Sequence, residues 1–260
     1  MQKENRPYVI MRMSMSVDGR IVPGPDMTMF DSHPVSALLP DEAPIGQKIS
    51  DATEAEWHPG GSLFGSWTFV RKDDPIKELP AFTGNVEDLY EDFLPDSVVS
   101  KTQYWNILVD GRGRYRTGYK GTATPGHHVM HVVSDSVPAD YLAFLRAEQI
   151  PYFIGGHEHA DLPDALSKLR TKLGLQAVYL LGGGTLNGEM IRRNLVDEIH
   201  LVVIPAIFSG DRTPTLVDCD DITSEGTFPA LELISSTSDP SGHLWLHYKV
   251  DAKPLPTSET

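Results

Sequence analysis

The sequence has few cysteines, few basic residues and no long apolar run. Cys219 is the single cysteine of 260 residues, so no disulfide can form within the chain, which is typical of a reducing cytoplasm. Lysine and arginine number 22 against 36 acidic residues, giving a formal net charge of −14. Such a surface repels nucleic acid. No stretch approaches the ~20 apolar residues of a membrane span, and we expect neither a signal peptide nor a membrane partner.

One zinc-binding motif and one dinucleotide-binding motif are also absent. The zinc deaminase signature needs two cysteines, which excludes that activity here. The dinucleotide fingerprint G-x-G-x-x-G fails because Asn187 follows Gly182 and Gly184 where the third glycine belongs, so a standard Rossmann domain is disfavoured. The histidines at 127, 128 and 131 and at 157 and 159 lack an ordered set of further ligands. We predict that they are solvated and that the chain holds no metal.

The segment 176–210 carries the strongest positive signal. A buried strand (Ala177–Leu181), three glycines, a short helix (Thr185–Asn194) and a second apolar strand (Glu198–Pro205) follow one another. Glycines let a phosphate approach the backbone N–H groups closely, and the positive end of the helix points at the same place. The pattern predicts an anion-binding loop, and the usual anion is a nucleotide diphosphate. A tight strand-to-helix turn without a ligand is the alternative.

The rest of the chain alternates strands and helices, which predicts an α/β fold with a mixed, mainly parallel sheet, helices on both faces and a C-terminal antiparallel hairpin. We expect one domain over residues 1–260, with irregular inserts at about 23–60 and 71–104. The predicted strands are Tyr8–Ser16, Ser62–Val70, Trp105–Asp110, His127–Ser134, Tyr152–Ile154, Leu231–Ser236 and His243–Val250, and the further helices are Asp51–Trp57, Ala139–Gln149 and Leu162–Leu173.

Five short motifs then occur in the order found in one enzyme family. They are Arg6-Pro7-Tyr8-Val9, Ser16-Val17-Asp18-Gly19-Arg20, Gly65-Ser66-Trp67-Thr68, Gly183-Gly184-Thr185-Leu186 and Leu195-Val196-Asp197-Glu198 with Pro205 downstream. In this ordered set the chain resembles the RibD C-terminal reductase family of riboflavin biosynthesis, which has the dihydrofolate reductase fold. The resemblance implies an NADPH-dependent oxidoreductase, typically a homodimer, that acts on a pyrimidine or related small heterocycle.

The resemblance also implies roles for individual residues. The pyrophosphate of NADPH is expected at Gly183–Asn187, and the nicotinamide along Met15 and Ser16 at the end of the first strand. Asp18 is expected at the mouth of the cleft, as a substrate contact or proton donor; the alternative is a turn carboxylate that bonds nearby backbone. The implied cofactor-binding residues are Met15, Ser16, Gly65, Ser66, Thr68, Ser134, Gly182, Gly183, Gly184, Thr185, Leu186 and Asn187.

Two positions depart from the family pattern. Riboflavin reductases usually carry a substrate-facing glutamate directly before the glycines, and Leu181 stands there instead. Lys72 occupies the place of a usual aspartate, with Asp74-Pro75 slightly displaced. Losing a carboxylate that specifies the substrate leaves cofactor binding intact but favours a divergent substrate.

Three functions therefore remain open. The leading hypothesis is a reductase that moves hydride from NADPH to a C=N or C=O group of a small heterocycle, with the proton delivered by Asp18 or by water. The second is a non-catalytic NADPH-binding protein of the same fold, which the leucine at 181 motivates. The third is an α/β transferase that uses the glycine loop for a phosphorylated substrate.

Overall fold

A computed structural model describes residues 5–220 and 227–254. The elements in chain order are β1 (Tyr8–Ser16), α1 (Ala43–Trp57), β2 (Gly61–Gly65), α2 (Asp96–Val99), β3 (Tyr104–Val109), β4 (His127–Val133), α3 (Ala139–Ala147), β5 (Tyr152–Ile154), α4 (Leu162–Leu173), β6 (Ala177–Leu180), α5 (Gly184–Arg192), β7 (Glu198–Ile204), β8 (Thr227–Ser238) and β9 (Leu244–Pro254). Short 3-10 helices cover Pro34–Leu38, Ser66–Thr68 and Glu87–Tyr90. Among the described residues, no helix has the length and apolar character to cross a membrane.

The chain forms two compact units. The first consists of the described residues through Pro7 and of Pro59–Val178, and the second of Tyr8–His58 and the described residues from Tyr179 onward. Strand β6 contributes residues to both. That the whole chain acts as one domain stays a prediction.

The first unit is built on parallel strands in the order β5-β4-β3-β2. Helix α3 packs Tyr141, Leu142 and Leu145 against Val133 and Tyr152, and all five side chains are buried. Buried, nearly continuous apolar strands of this kind are typical of parallel sheets. The bounds of β5 and α4 agree with the sequence prediction to the residue.

The second unit combines parallel and antiparallel pairing. Strand β1 pairs in parallel with β7, and β7 pairs antiparallel with β9, which pairs antiparallel with β8. Helix α1 covers one face of these strands, where Ile45 and Ile49 pack against Val202 and Trp245. The predicted mixed α/β fold with a closing hairpin is confirmed.

Three predicted boundaries were wrong. Helix α1 starts at Ala43 rather than Asp51, because the Arg12 guanidinium binds the carbonyl of Gly46 (2.9 Å) and fixes a turn that the local sequence disfavours. The second strand stops at Gly65, because the N–H groups of Phe69 and Val70 both bond the carbonyl of Ser66 and wind the chain into a helical turn. The hairpin strands are longer than expected.

Candidate functional site

The three glycines between β6 and α5 form the glycine loop, Gly182–Gly184, in the second unit. Gly182 has a φ of +89°, a left-handed conformation that favours glycine. The peptide bond between Gly182 and Gly183 is cis. Gly183 is the N-cap of α5, and Gly184 is its first residue. The loop therefore places backbone at the positive end of a nine-residue helix.

The surroundings of the three glycines differ. A Cβ on Gly182 would meet the Cε of Met13 at 2.8 Å. A Cβ on Gly184 would overlap the Asp218 carboxylate and the carbonyl of Thr215. A Cβ on Gly183 would meet, within 4 Å among the described residues, only the Cδ1 of Ile21 at 3.8 Å. Packing thus accounts for the first and third glycines, and Gly183 alone leaves room for a ligand against the backbone.

Asp218 fixes the neighbouring segment 213–218 against the loop. Its N–H donates to the carbonyl of Gly184 (3.0 Å), and its carboxylate accepts the hydroxyl of Thr215 (2.5 Å). Asn187 donates from Nδ2 to the carbonyl of Leu216 (2.9 Å). The Asn187 side chain is fully buried, and its Oδ1 has no hydrogen-bond partner among the described residues. The side-chain amide of Asn187 therefore binds the backbone of the segment 213–218.

The turn after β1 is tied to the same segment. Ile21 N–H donates to the carbonyl of Pro214 (3.1 Å), and Leu216 N–H donates to that of Gly19 (3.1 Å). The Nη1 of Arg20 donates to the carbonyl of Thr213 (2.6 Å). The turn, the segment 213–218 and the glycine loop therefore form one hydrogen-bonded group within the second unit.

Asp18 is an exposed carboxylate that binds a distant loop. It accepts the Ser16 hydroxyl (2.6 Å) and the backbone N–H groups of Phe208 (3.0 Å) and Ser209 (2.8 Å). The Ser16 hydroxyl and these amides lower the pKa of Asp18 to about 2. Asp18 is therefore ionised near neutral pH. Ser16 itself is buried, and its hydroxyl oxygen also accepts the N–H of Arg20 (3.0 Å).

The remaining predicted residues of the second unit lie along the same elements. Met15 pairs with Val203 on β7 and is half-buried. Leu181 is half-buried at the end of β6, next to the glycine loop. In the first turn of α5, Thr185 is exposed and Leu186 is buried.

The predicted residues of the first unit lie at two places. Gly65 ends β2, and Ser66 and Thr68 bound the half-buried turn that follows. The guanidinium of Arg114 stacks over Trp67 in this turn, 5.1 Å from the ring centre. Ser134 follows β4 and is fully buried, and its hydroxyl donates to the carbonyl of Gly111 (2.6 Å). The Ser134 hydroxyl proton is thus engaged by the protein.

The prediction of solvated histidines was wrong in the first cluster. His128 and His131 are buried. The Nδ1 of His131 lies 2.8 Å from the hydroxyl of Tyr141, which donates to Asp110 (2.9 Å). Burial lowers the pKa of His131 to about 4. The prediction held for His157 and His159, which are exposed.

A second polar group was not found from the sequence. Glu198, His200 and His247 converge within the second unit. The sequence does contain a weak indication of this group. Acidic and imidazole side chains alternate with apolar ones on β7 and β9, so they share one face of the strands.

Comparison with known proteins gives consistent results. The sequence model of the RibD C-terminal domain family matches residues 7–244 of this chain. A 2,5-diamino-6-ribosylamino-4(3H)-pyrimidinone 5′-phosphate reductase of Methanothermobacter thermautotrophicus is 35% identical over 228 residues, which cover 88% of this chain and 91% of the relative. A protein of the same name from Aquifex aeolicus is 23% identical over 226 residues, covering 82% of this chain and 83% of the relative.

Solved structures agree in fold. A pyrimidine reductase-like protein of Corynebacterium diphtheriae aligns over 96% of this chain and 94% of its own length, with a TM-score of 0.62 and 15% identity. RibD of Acinetobacter baumannii aligns over 95% of this chain and 58% of its own length, with a TM-score of 0.59 and 17% identity. At these identities the likeness concerns the fold.

Proposed function

The chain belongs to the RibD C-terminal domain family, and from this premise we propose that it is an NADPH-dependent reductase that transfers hydride to a small heterocycle. The named relatives are pyrimidinone 5′-phosphate reductases, which supports a pyrimidine-type substrate of the riboflavin pathway or a divergent relative of it. We propose one domain over residues 1–260.

The free backbone at Gly183 is the observation that carries the proposal. A phosphate needs N–H groups without a side chain above them and a positive helix end, and the loop offers both. Gly182 and Gly184 need no ligand to explain them, whereas Gly183 is left unexplained by packing. A nicotinamide dinucleotide diphosphate fits this donor set.

The proposed cofactor residues divide by unit. In the second unit, the segment Gly183–Asn187 binds the pyrophosphate, which lies against the backbone at Gly183, and Gly182 precedes it. Met15 and Ser16 lie along the nicotinamide. In the first unit, Gly65, Ser66 and Thr68 contact the cofactor. Ser134 is assigned to the adenosine side, where its buried hydroxyl holds the carbonyl of Gly111. When bound, the reduced nicotinamide supplies the hydride.

The proton has a different source from the hydride. A carboxyl with a pKa of about 2 carries almost no proton near neutral pH, which favours water over Asp18 as the donor. Asp18 instead holds the backbone of Phe208 and Ser209 in place and, in this proposal, contacts the substrate at the cleft mouth.

Leu181 bears on the substrate and on the alternative function. A half-buried leucine cannot accept a hydrogen bond from a heterocycle amine, as a glutamate at this position would. This favours a substrate that differs from that of the relatives, and it is also the observation that favours an NADPH-binding protein without turnover.

We propose a homodimer as well. Leu231, Leu233 and Ile234 on β8 are each about half exposed, at 49%, 53% and 51%. Exposed apolar side chains grouped on one strand are typical of a surface covered by a partner. Sedimentation velocity of the full chain tests the dimer, and a monomer at micromolar concentration would contradict it.

The function is tested in two steps. NADPH fluorescence is titrated first, and NADPH oxidation is then followed with 2,5-diamino-6-ribosylamino-4(3H)-pyrimidinone 5′-phosphate and related heterocycles. Binding with turnover supports the reductase. Binding without turnover on any heterocycle supports the non-catalytic alternative, and no binding at millimolar NADPH overturns both. If Leu181 sets the substrate, Leu181→Glu should raise turnover of the pyrimidinone phosphate.

A further inference from the structure

Three side chains meet on one face of strands β7 and β9. Glu198 and His200 are two residues apart on β7, so they point to the same side of the sheet. His247 on β9 is the direct partner of His200 in the antiparallel register. Paired residues on neighbouring strands share a face, so the strand geometry itself brings the three together.

The potential ligand atoms are close to one another. The Nε2 of His200 lies 2.6 Å and the Nε2 of His247 lies 2.8 Å from the Oε1 of Glu198. All three atoms lie within 4.8 Å of one another. Glu198 and His200 are buried, whereas the side chain of His247 is 21% exposed. Solvent therefore reaches the group from the side of His247.

A second layer orients the carboxylate. Tyr8 donates its hydroxyl to the Oε2 of Glu198 (3.0 Å), and its ring stacks on Trp57 at 3.7 Å. The Tyr8 contact directs Oε1 toward the two imidazoles, as outer-layer hydrogen bonds do at metal sites.

We propose that Glu198, His200 and His247 bind one divalent transition-metal ion of the Zn²⁺ class. Two imidazoles and one carboxylate form a ligand set that zinc accepts, with a fourth position left for water. Ligand atoms around tetrahedral zinc lie about 3.3 Å apart, so the two imidazole nitrogens must move away from Oε1 by roughly 0.5–0.7 Å to admit the ion. The exposed edge of His247 leaves that ring room to move.

A hydrogen bond from Trp245 opposes metal binding by His200. Its indole N–H donates to the Nδ1 of His200 (3.2 Å). Since this hydrogen bond occupies the Nδ1 lone pair, the ring proton sits on Nε2, which faces Glu198. A metal on Nε2 moves that proton to Nδ1, where it opposes the indole N–H. The proposed site therefore binds metal against this contact, and removing the indole N–H should strengthen binding.

The proposed metal lies too far from the proposed cofactor site to take part in hydride transfer. Glu198 begins β7, whereas Ile204, six residues further along the strand, pairs with Ser16 of the proposed cofactor site. Six residues of strand span about 20 Å. The ion would join β7 to β9, and its presence does not depend on the proposed reductase activity.

The test is a titration of the metal-free full chain with Zn²⁺ by calorimetry, with the Co²⁺ absorption spectrum as a second readout. We expect one ion per chain, at least a tenfold weaker affinity in His247→Ala and Glu198→Gln, and about tenfold tighter binding in Trp245→Phe, the equivalent of one hydrogen bond. Circular dichroism establishes that each variant is folded.

Two exposed histidine–carboxylate pairs provide matched controls. His58 lies 3.8 Å from Glu54, and His157 lies 2.7 Å from Asp135. The variants His58→Ala and His157→Ala should bind Zn²⁺ like the parent. The absence of heat at about 100 µM Zn²⁺, a concentration well above the dissociation constants of zinc-finger sites, would overturn the proposal. An affinity that His247→Ala leaves unchanged would overturn it as well.

Discussion

At the scale of single residues, neighbouring glycines in the loop should respond differently to the same substitution. Gly183→Ala adds a methyl group where the protein leaves space, so the free energy of unfolding should hardly change while the NADPH dissociation constant rises at least about tenfold. Gly184→Ala drives a methyl group into Asp218 and Thr215 and should lower the free energy of unfolding by about 1–3 kcal/mol. Fluorescence titration and urea unfolding measure the two effects. Unchanged NADPH binding in Gly183→Ala would place the pyrophosphate elsewhere.

His131 should make stability depend on pH. Its pKa is about 4 in the folded chain and about 6.5 in an unfolded one. Between these values the unfolded state binds the additional proton, so the free energy of unfolding falls as the pH falls, by roughly 3 kcal/mol across the window. Urea unfolding at several pH values measures this slope.

The variant His131→Gln isolates the contribution of this one histidine. Glutamine keeps a donor for the hydroxyl of Tyr141 and does not titrate, so the slope between about pH 6.5 and 4 should become shallower than in the parent. Equal slopes in the two proteins would assign the pH dependence to other groups.

At the scale of elements, the segment 71–77 of the first unit depends on Arg114. Its Nη2 donates to the carbonyls of Lys72 and Asp74, each at 3.0 Å, and the guanidinium stacks on Trp67. Arg114→Ala should therefore speed amide hydrogen exchange across 71–77 by about tenfold or more, the value of one to two hydrogen bonds. The exposed neighbour Arg112 serves as control, and Arg112→Ala should leave exchange unchanged. Equal exchange in both variants would show that the segment is held by other contacts.

Elements with local signals were predictable, and elements fixed by distant contacts were not. Helix α4 has its N-cap at Asp161, its C-cap at Gly174 and a leucine stripe between them, so its bounds follow from the sequence. The first half of α1 carries Pro44 and Gly46 and looked like a loop. It is helical because Arg12 binds the carbonyl of Gly46 and because Ile45 packs against Val202 and Trp245, far along the chain. Local propensity does not register such contacts.

The same distinction applies to the candidate site. Three consecutive glycines identified the loop without any structure. Which glycine has open space beside it depends on Asp218 and Thr215, some thirty residues downstream. His131 was misassigned for the same reason, since its burial arises from Tyr141 on α3 and Asp110 after β3.

At the scale of the whole molecule, the path of the chain bears on cooperativity. Each unit is assembled from two separate chain segments, and the boundary at Val178 and Tyr179 falls inside β6. All four residues of β6 are buried, so neither unit can unfold up to this boundary without interrupting a buried strand and exposing apolar side chains to water. We therefore expect urea to unfold the chain in a single transition seen equally by fluorescence and circular dichroism.

Cofactor binding should shift that transition as a whole. A ligand that binds only the folded chain, present at about a hundred times its dissociation constant, adds about 2.7 kcal/mol to the free energy of unfolding. If the chain unfolds as one, NADPH moves the entire curve by this amount, and NADH, if bound more weakly, moves it less at equal concentration. Two separate transitions, of which NADPH moves only one, would show instead that the units unfold independently and that the cofactor stabilises a single unit.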